Sequence, residues 1–114
     1  MVDTAVKTRR QRLKRNLKSI TESIKKKYRP EKIILFGSLA SGRINPASDI
    51  DLLIIKNTRK RRTDRILDVL RMCNYDIAFE PIVYTPGEIR QRLKDGDCFT
   101  REILEKGKLL YAQE

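Results

Sequence analysis

The sequence predicts one mixed α/β (α+β) domain in which helices flank a central sheet. Three observations predict it. Short apolar runs at 32–36 and 50–55 have the length and bulk of buried strands. Segments at 8–28 and 63–73 instead repeat their apolar residues at helical spacing. The two kinds are interspersed along 114 residues, a length that supports one domain with its own core.

The first helix is predicted over Thr8–Tyr28, with Leu13, Leu17, Ile20, Ile24 and Tyr28 on one face. Arg9, Arg10, Arg12, Lys14, Arg15, Lys18 and Lys25 fall on the other, and Pro30 stops it. Residues 1–30 therefore read as a basic amphipathic helix packing on a domain of residues 31–114. Lys32–Phe36 is a short buried strand, and Ser38–Ser41 forms the first turn of a helix. Gly42, Asn45 and Pro46 mark a loop. Ile50–Ile55 is apolar on both faces, as a central strand should be, with acids only at its entrance, Asp49 and Asp51. After a basic loop at Asn57–Arg62, Thr63–Cys73 forms a helix that offers Ile66, Leu67, Val69 and Leu70 to the core. A third strand spans Tyr75–Thr85, with Asp76, Ala78 and Glu80 on one face. Pro81 cannot donate to a ladder, so it marks an edge or a bulge. Pro86-Gly-Glu opens a helix through Leu93, and Phe99–Lys106 forms another, capped by Gly107. Lys108–Ala112 is a last short strand.

Composition excludes several chemistries. The chain has no histidine, which removes Ser-His and Cys-His catalysis and nearly every zinc site. Carboxylates, lysines, tyrosines and hydroxyls are left, and hard oxygen ligands favour Mg²⁺ or Mn²⁺. Cys73 and Cys98 have no metal-site spacing and are expected as reduced thiols near the core. No apolar run approaches the ~20 residues of a membrane span, and Met1–Lys7 lacks a signal-peptide stretch. The expectation is a cytoplasmic protein with no membrane partner. A net charge of +11 suits nucleotides, nucleic acids or acidic proteins, and equally a solvated basic surface.

The chemistry concentrates at two turns. Gly37-Ser38 ends the first strand, and Asp49-Ile-Asp51 opens the next after ten intervening residues. A small turn that exposes backbone amides can cradle a phosphate. Carboxylates at i and i+2 on a strand point to one face, about 6.6 Å apart along the backbone. That suits two divalent cations roughly 3.5–4 Å apart. Phosphate cradle plus metal carboxylates point to transfer of a phosphorus group.

These residues resemble the minimal nucleotidyltransferases of the DNA polymerase β-like superfamily. The match is Leu35-Phe-Gly-Ser-Leu-Ala-Ser-Gly followed by Ser48-Asp-Ile-Asp-Leu-Leu-Ile, with Val83-Tyr-Thr-Pro-Gly-Glu similar to the family's end-of-sheet segment. It covers roughly Ile33–Tyr111, so 31–114 would be the nucleotidyltransferase domain. The resemblance implies the polymerase β-like fold, a mixed central sheet flanked by helices, and a site of three carboxylates. Asp49 and Asp51 would ligate Mg²⁺ or Mn²⁺, while Gly37 and Ser38 would hold the terminal phosphates of ATP or another nucleoside triphosphate. Glu80 falls where the family's third carboxylate stands, usually Asp, and Asp76 is the alternative on the same strand face. Leu39 stands where members often carry Arg; Arg43 and Lys56 are the nearby cations.

The expected function is Mg²⁺-dependent transfer of a nucleoside monophosphate, AMP from ATP, to an acceptor hydroxyl. By resemblance, that acceptor can be a tyrosine of a small helical HEPN-domain toxin, with this chain as the antitoxin. Two alternatives stay open: a weakly catalytic or non-catalytic protein-binding antitoxin, and a nucleic-acid-binding protein using the basic runs at 9–27 and 59–62. Aromatics do not interleave with those runs, so stacking platforms for nucleic acid are lacking there.

Overall fold

The structure, a computed structural model, describes residues 4–43 and 49–114, and the side chains of residues 4–7 are not described. The loop residues Asn45 and Pro46, and Ser48 of the second motif, lie outside the described residues. The elements run α1 (Thr4–Ser23), a π-helical turn (Ile24–Tyr28), β1 (Lys32–Phe36), α2 (Ser38–Ser41), β2 (Ile50–Ile55), α3 (Arg62–Met72), β3 (Phe79–Tyr84), α4 (Pro86–Lys94), α5 (Cys98–Lys106) and β4 (Lys108–Ala112).

The four strands form one mixed sheet in the order β3-β2-β1-β4. β2 runs antiparallel to β1 and parallel to β3, while β4 pairs antiparallel with the other side of β1. The two central strands are the two apolar runs. β3 lies at an edge, which accommodates Pro81 without a missing ladder bond on both sides. It is shorter than the sequence suggests: Tyr75–Ala78 precede it. Asp76 is therefore not a strand residue sharing a face with Glu80. It accepts hydrogen bonds from Arg12 and from Asn16 on α1, and these contacts hold its carboxyl below the usual range.

Strand alternation divides the core into two layers. Leu13, Ile20 and Ile24 of the first helical segment pack with Ile33, Leu35, Ile50, Leu52 and Ile54, and with Val69 of α3. The opposite face carries Ile34, Leu53, Ile55 and Tyr84 under Ile89 of α4 and Ile103 of α5. The amphipathic stripe of α1 thus buries the side its spacing marks. The helix ends where Arg29 turns left-handed (φ 52°) before Pro30, its amide donating to Ile24 O at 3.2 Å.

Three positions depart from expectation. Leu67 on α3 is exposed, and Arg65 is buried in its stead. Cys98 is exposed, whereas Cys73 is buried and its thiol is pushed up to about 11 by burial. Gly107 does end α5, but with an ordinary φ of −68° rather than a left-handed one. Its need for glycine is steric: a Cβ there would sit 2.3 Å from Ile103 O and 2.6 Å from Ile34 Cγ2. Gly107→Ala should therefore cost about 1–3 kcal/mol, as overpacking does. Urea unfolding would read this, and an unchanged midpoint would refute the contact.

Candidate active site

The sequence places its small turn and its acids at one end of the sheet. β1 ends there, and β2 and β3 begin there. Register does the assembly: Asp51 lies opposite Phe36 on one side and opposite Glu80 on the other. Cross-strand partners share a face, so Phe36, Asp51 and Glu80 point to the α4–α5 side.

Asp51 is half-buried and is pushed up to about 6. Burial is the largest cause, followed by the negative charges of Glu80 and Asp49; the protonated carboxyl also hydrogen-bonds Glu80. Asp51 and Glu80 are thus a close pair, with Asp49 near enough to be felt electrostatically. Asp76 is engaged by α1 instead. Asp49 itself stands 3.9 Å from the Arg9 guanidinium. As they stand, no three His, Cys, Asp or Glu side chains among the described residues are grouped tightly enough to hold one ion.

Gly37 closes over this pair. It precedes α2 with φ 77° and ψ −158°, a region that belongs essentially to glycine. A Cβ there would lie 2.3 Å from Asp51 Oδ2. The backbone turn and the carboxylate are in direct contact, which only glycine allows. Ser38 is the first residue of α2, and Gly37 is its N-cap. A helix of one turn leaves most of its amides without i−4 partners, so the turn at Ser38 offers donors to an anion. Gly37→Ala should lose several degrees of melting temperature through backbone strain of about 1–3 kcal/mol. It should also lose ATP affinity, because the turn and Asp51 would be forced apart. Calorimetry beside a thermal melt checks both, and wild-type behaviour in both would remove Gly37 from the site.

The nearby cations sort differently from the sequence reading. Lys56 sits at the other end of β2, five residues and about 17 Å from Asp51. It donates to Tyr28 O and lies 4.8 Å from the Tyr28 ring. Arg43 is exposed at the end of the described segment. Among the described side chains Arg9 is the cation that reaches the acids, and no sequence signal marks it: helical spacing assigns it to a solvated face.

The family description "Polymerase beta, Nucleotidyltransferase" matches residues 18–114. The chain belongs to this family of nucleotidyltransferases. A Methanocaldococcus jannaschii protein named a putative protein adenylyltransferase is 32% identical over 99 residues, covering 83% of this chain and 94% of that one. A second protein of that organism and name is 38% identical over 88 residues, which are 72% of this chain and 58% of the longer relative. The crystal structure of a putative nucleotidyltransferase from Sulfolobus solfataricus aligns with a TM-score of 0.68 at 23% identity, over 98% of this chain and 91% of that one. Its fold is shared, and the family match makes the mixed sheet of this nucleotidyltransferase the polymerase β-like arrangement. Among the described residues no helix is long and apolar enough to cross a membrane.

Proposed function

We propose that this nucleotidyltransferase transfers AMP from ATP, in the presence of Mg²⁺ or Mn²⁺, to a hydroxyl of a partner protein. The observation that carries the proposal is the Asp51–Glu80 pair held in register against Gly37, with Asp49 beside it. Like charges brought this close are unfavourable unless a proton or a cation neutralises them. The donors are all carboxylate oxygens, which fit Mg²⁺ or Mn²⁺. Asp51 and Glu80, already paired, would hold the metal, and Asp49 would join them by turning from Arg9. Bound there, the metal would neutralise charge developing on the phosphates and lower the pKa of the attacking hydroxyl.

The chain's own residues supply the remainder. The Gly37-Ser38 turn would position the phosphates beside Asp51. The acceptor hydroxyl gives its proton to a site carboxylate or to water, its oxygen forms a bond to the α-phosphorus, the bond to the α–β bridging oxygen breaks, and pyrophosphate leaves. Positioning and electrostatics provide most of the acceleration in such transfers. Protein as the acceptor class is supported by the names of the two relatives. The narrower reading, a tyrosine on a helical HEPN-domain toxin with this chain as antitoxin, follows from the resemblance of its motifs to minimal nucleotidyltransferases.

Two measurements test this. Calorimetry should show ATP binding with Mg²⁺ and little without it; equal affinity in chelator refutes metal-dependent phosphate binding. Label from α-³²P-ATP should then appear on a co-expressed helical partner and disappear when its acceptor tyrosine is changed to Phe. Label on RNA alone would replace the protein acceptor with a nucleic acid.

A further inference from the structure

A pocket of about 340 Å³ opens beside Gly37, at the end of the sheet that carries Asp51 and Glu80. Phe36, Ala40 and Ile103 form apolar walls, and Phe99 of α5 stands over the opening. The Phe36 and Phe99 rings meet edge to face, centroids 5.7 Å apart at 85°. Phe99 nonetheless keeps 49% of its surface exposed. Glu102 and Lys106, one helical turn apart and paired at 3.4 Å, supply an acceptor and a donor at the rim.

We infer that this pocket receives the nucleobase of the nucleoside triphosphate, with Phe99 as its stacking platform; the inference rests on the nucleotidyltransferase reading above. Gly37 is the shared wall. One side of it touches Asp51, where the phosphates are placed, and the other side lines the pocket. The part of the ligand joined to those phosphates therefore lies within reach of the pocket. A base is flat and aromatic, with hydrogen-bonding groups on its edge. Apolar walls, one available ring and a few polar groups at the rim match that description. A tyrosine acceptor matches less well: its hydroxyl must meet the phosphorus, so a ring deep in the pocket would carry that hydroxyl away from it. The basic helix α1 has no comparable arrangement of rings among its described residues.

The test compares two probes on the full chain by calorimetry, Mg²⁺–ATP and Mg²⁺–tripolyphosphate, the second having no base. Phe99→Ala should weaken ATP at least about five-fold, the lower end of what one stacked base contributes. Tripolyphosphate affinity should not change, and Phe99→Tyr, which keeps the ring, should bind ATP like the wild type. If Phe99→Ala fails to fold, Phe99→Leu takes its place with the same expectation. Unchanged ATP affinity overturns the pocket assignment while leaving the parent reading intact. It does so even if transfer to the acceptor falls, because the pocket then serves the acceptor. Equal losses for both probes also overturn it, since the phosphate cradle has then been disturbed. A wild type that binds neither probe refutes the parent reading and this inference together.

Discussion

Asp51→Asn should abolish nucleotidyl transfer and, at neutral pH, raise the melting temperature. The two effects share one cause. Asp51 is half-buried beside Glu80 and Asp49, and its carboxyl is pushed up to about 6. Asparagine keeps the shape and removes the charge, so packing changes little while a hard-cation ligand is lost. Transfer should fall by at least roughly 10²-fold, the scale on which one electrostatic contact to a transition state is felt. The sign of the stability effect follows from proton linkage. The folded state holds the Asp51 proton more tightly than the unfolded chain, whose carboxyl has its ordinary value near 3.8. This group's contribution is fully present below that value and is lost as pH rises through about 6. At pH 7 the wild type therefore carries a destabilising charge that the Asp51→Asn variant lacks. The side chain is partly solvated, so solvent screening reduces the effect to about 1 kcal/mol, or roughly 4 °C. Melts from pH 3.5 to 7.5 should show the two proteins diverging through this window. Mg²⁺–ATP should reverse the order, because ligand bound to the folded wild type stabilises it by mass action. Transfer at the wild-type rate by the variant would remove Asp51 from the mechanism.

Arg65→Met should be the most destabilising substitution at a charged position outside the site. Arg65 is a buried residue of α3, and its Nε donates to Lys60 O at 2.7 Å. Its Nη1 donates to Val83 O at 3.2 Å and to Glu88 Oε1 at 2.6 Å. The same Glu88 oxygen accepts from the Thr85 amide at 2.7 Å, while Thr85 Oγ1 accepts from the Glu88 amide at 3.1 Å. One arginine thus ties α3 to the end of β3 and to the capping box of α4. Burial alone would raise the Glu88 carboxyl, and the Thr85 amide together with Arg65 overcomes that and leaves it below its ordinary value. Removing one partner leaves a carboxylate and two carbonyls short of donors, at about 3 kcal/mol. For a domain of this size that is a loss of roughly 10 °C. Arg65→Met combined with Glu88→Gln should lose less than the sum of the single changes, since the uncompensated charge is gone. A melting point within a degree of wild type for Arg65→Met would show that the network contributes nothing to stability.

Local pattern in the sequence determined the central strands, the buried stripe of α1, and the two turns that carry Gly37 and Asp51. A short continuous apolar run, apolar spacing at period 3.6, a glycine at a strand end and acids at a strand entrance are read within a few residues of each other. Pro81 narrowed the third strand to an edge or a bulge, because it lacks the amide a central strand requires, and the strand order decided for the edge. Tertiary structure decided the rest. Where the two candidate acids lie depends on distant contacts: strand register sets Glu80 opposite Asp51, and α1 engages Asp76 from about 60 residues away in the chain. Helical spacing marks Arg9 as solvated, yet it reaches Asp49; the same spacing puts Arg65 in line with Val69, but does not show the Glu88 partner that lets a charge be buried there. Phe99 and Gly37 are more than 60 residues apart, and only the packing of α5 on the sheet makes them walls of one pocket. Periodicity reports which side of an element is apolar. It carries no record of which distant charge or ring the fold brings against that side, because such contacts depend on strand order and helix placement, which are properties of the whole chain.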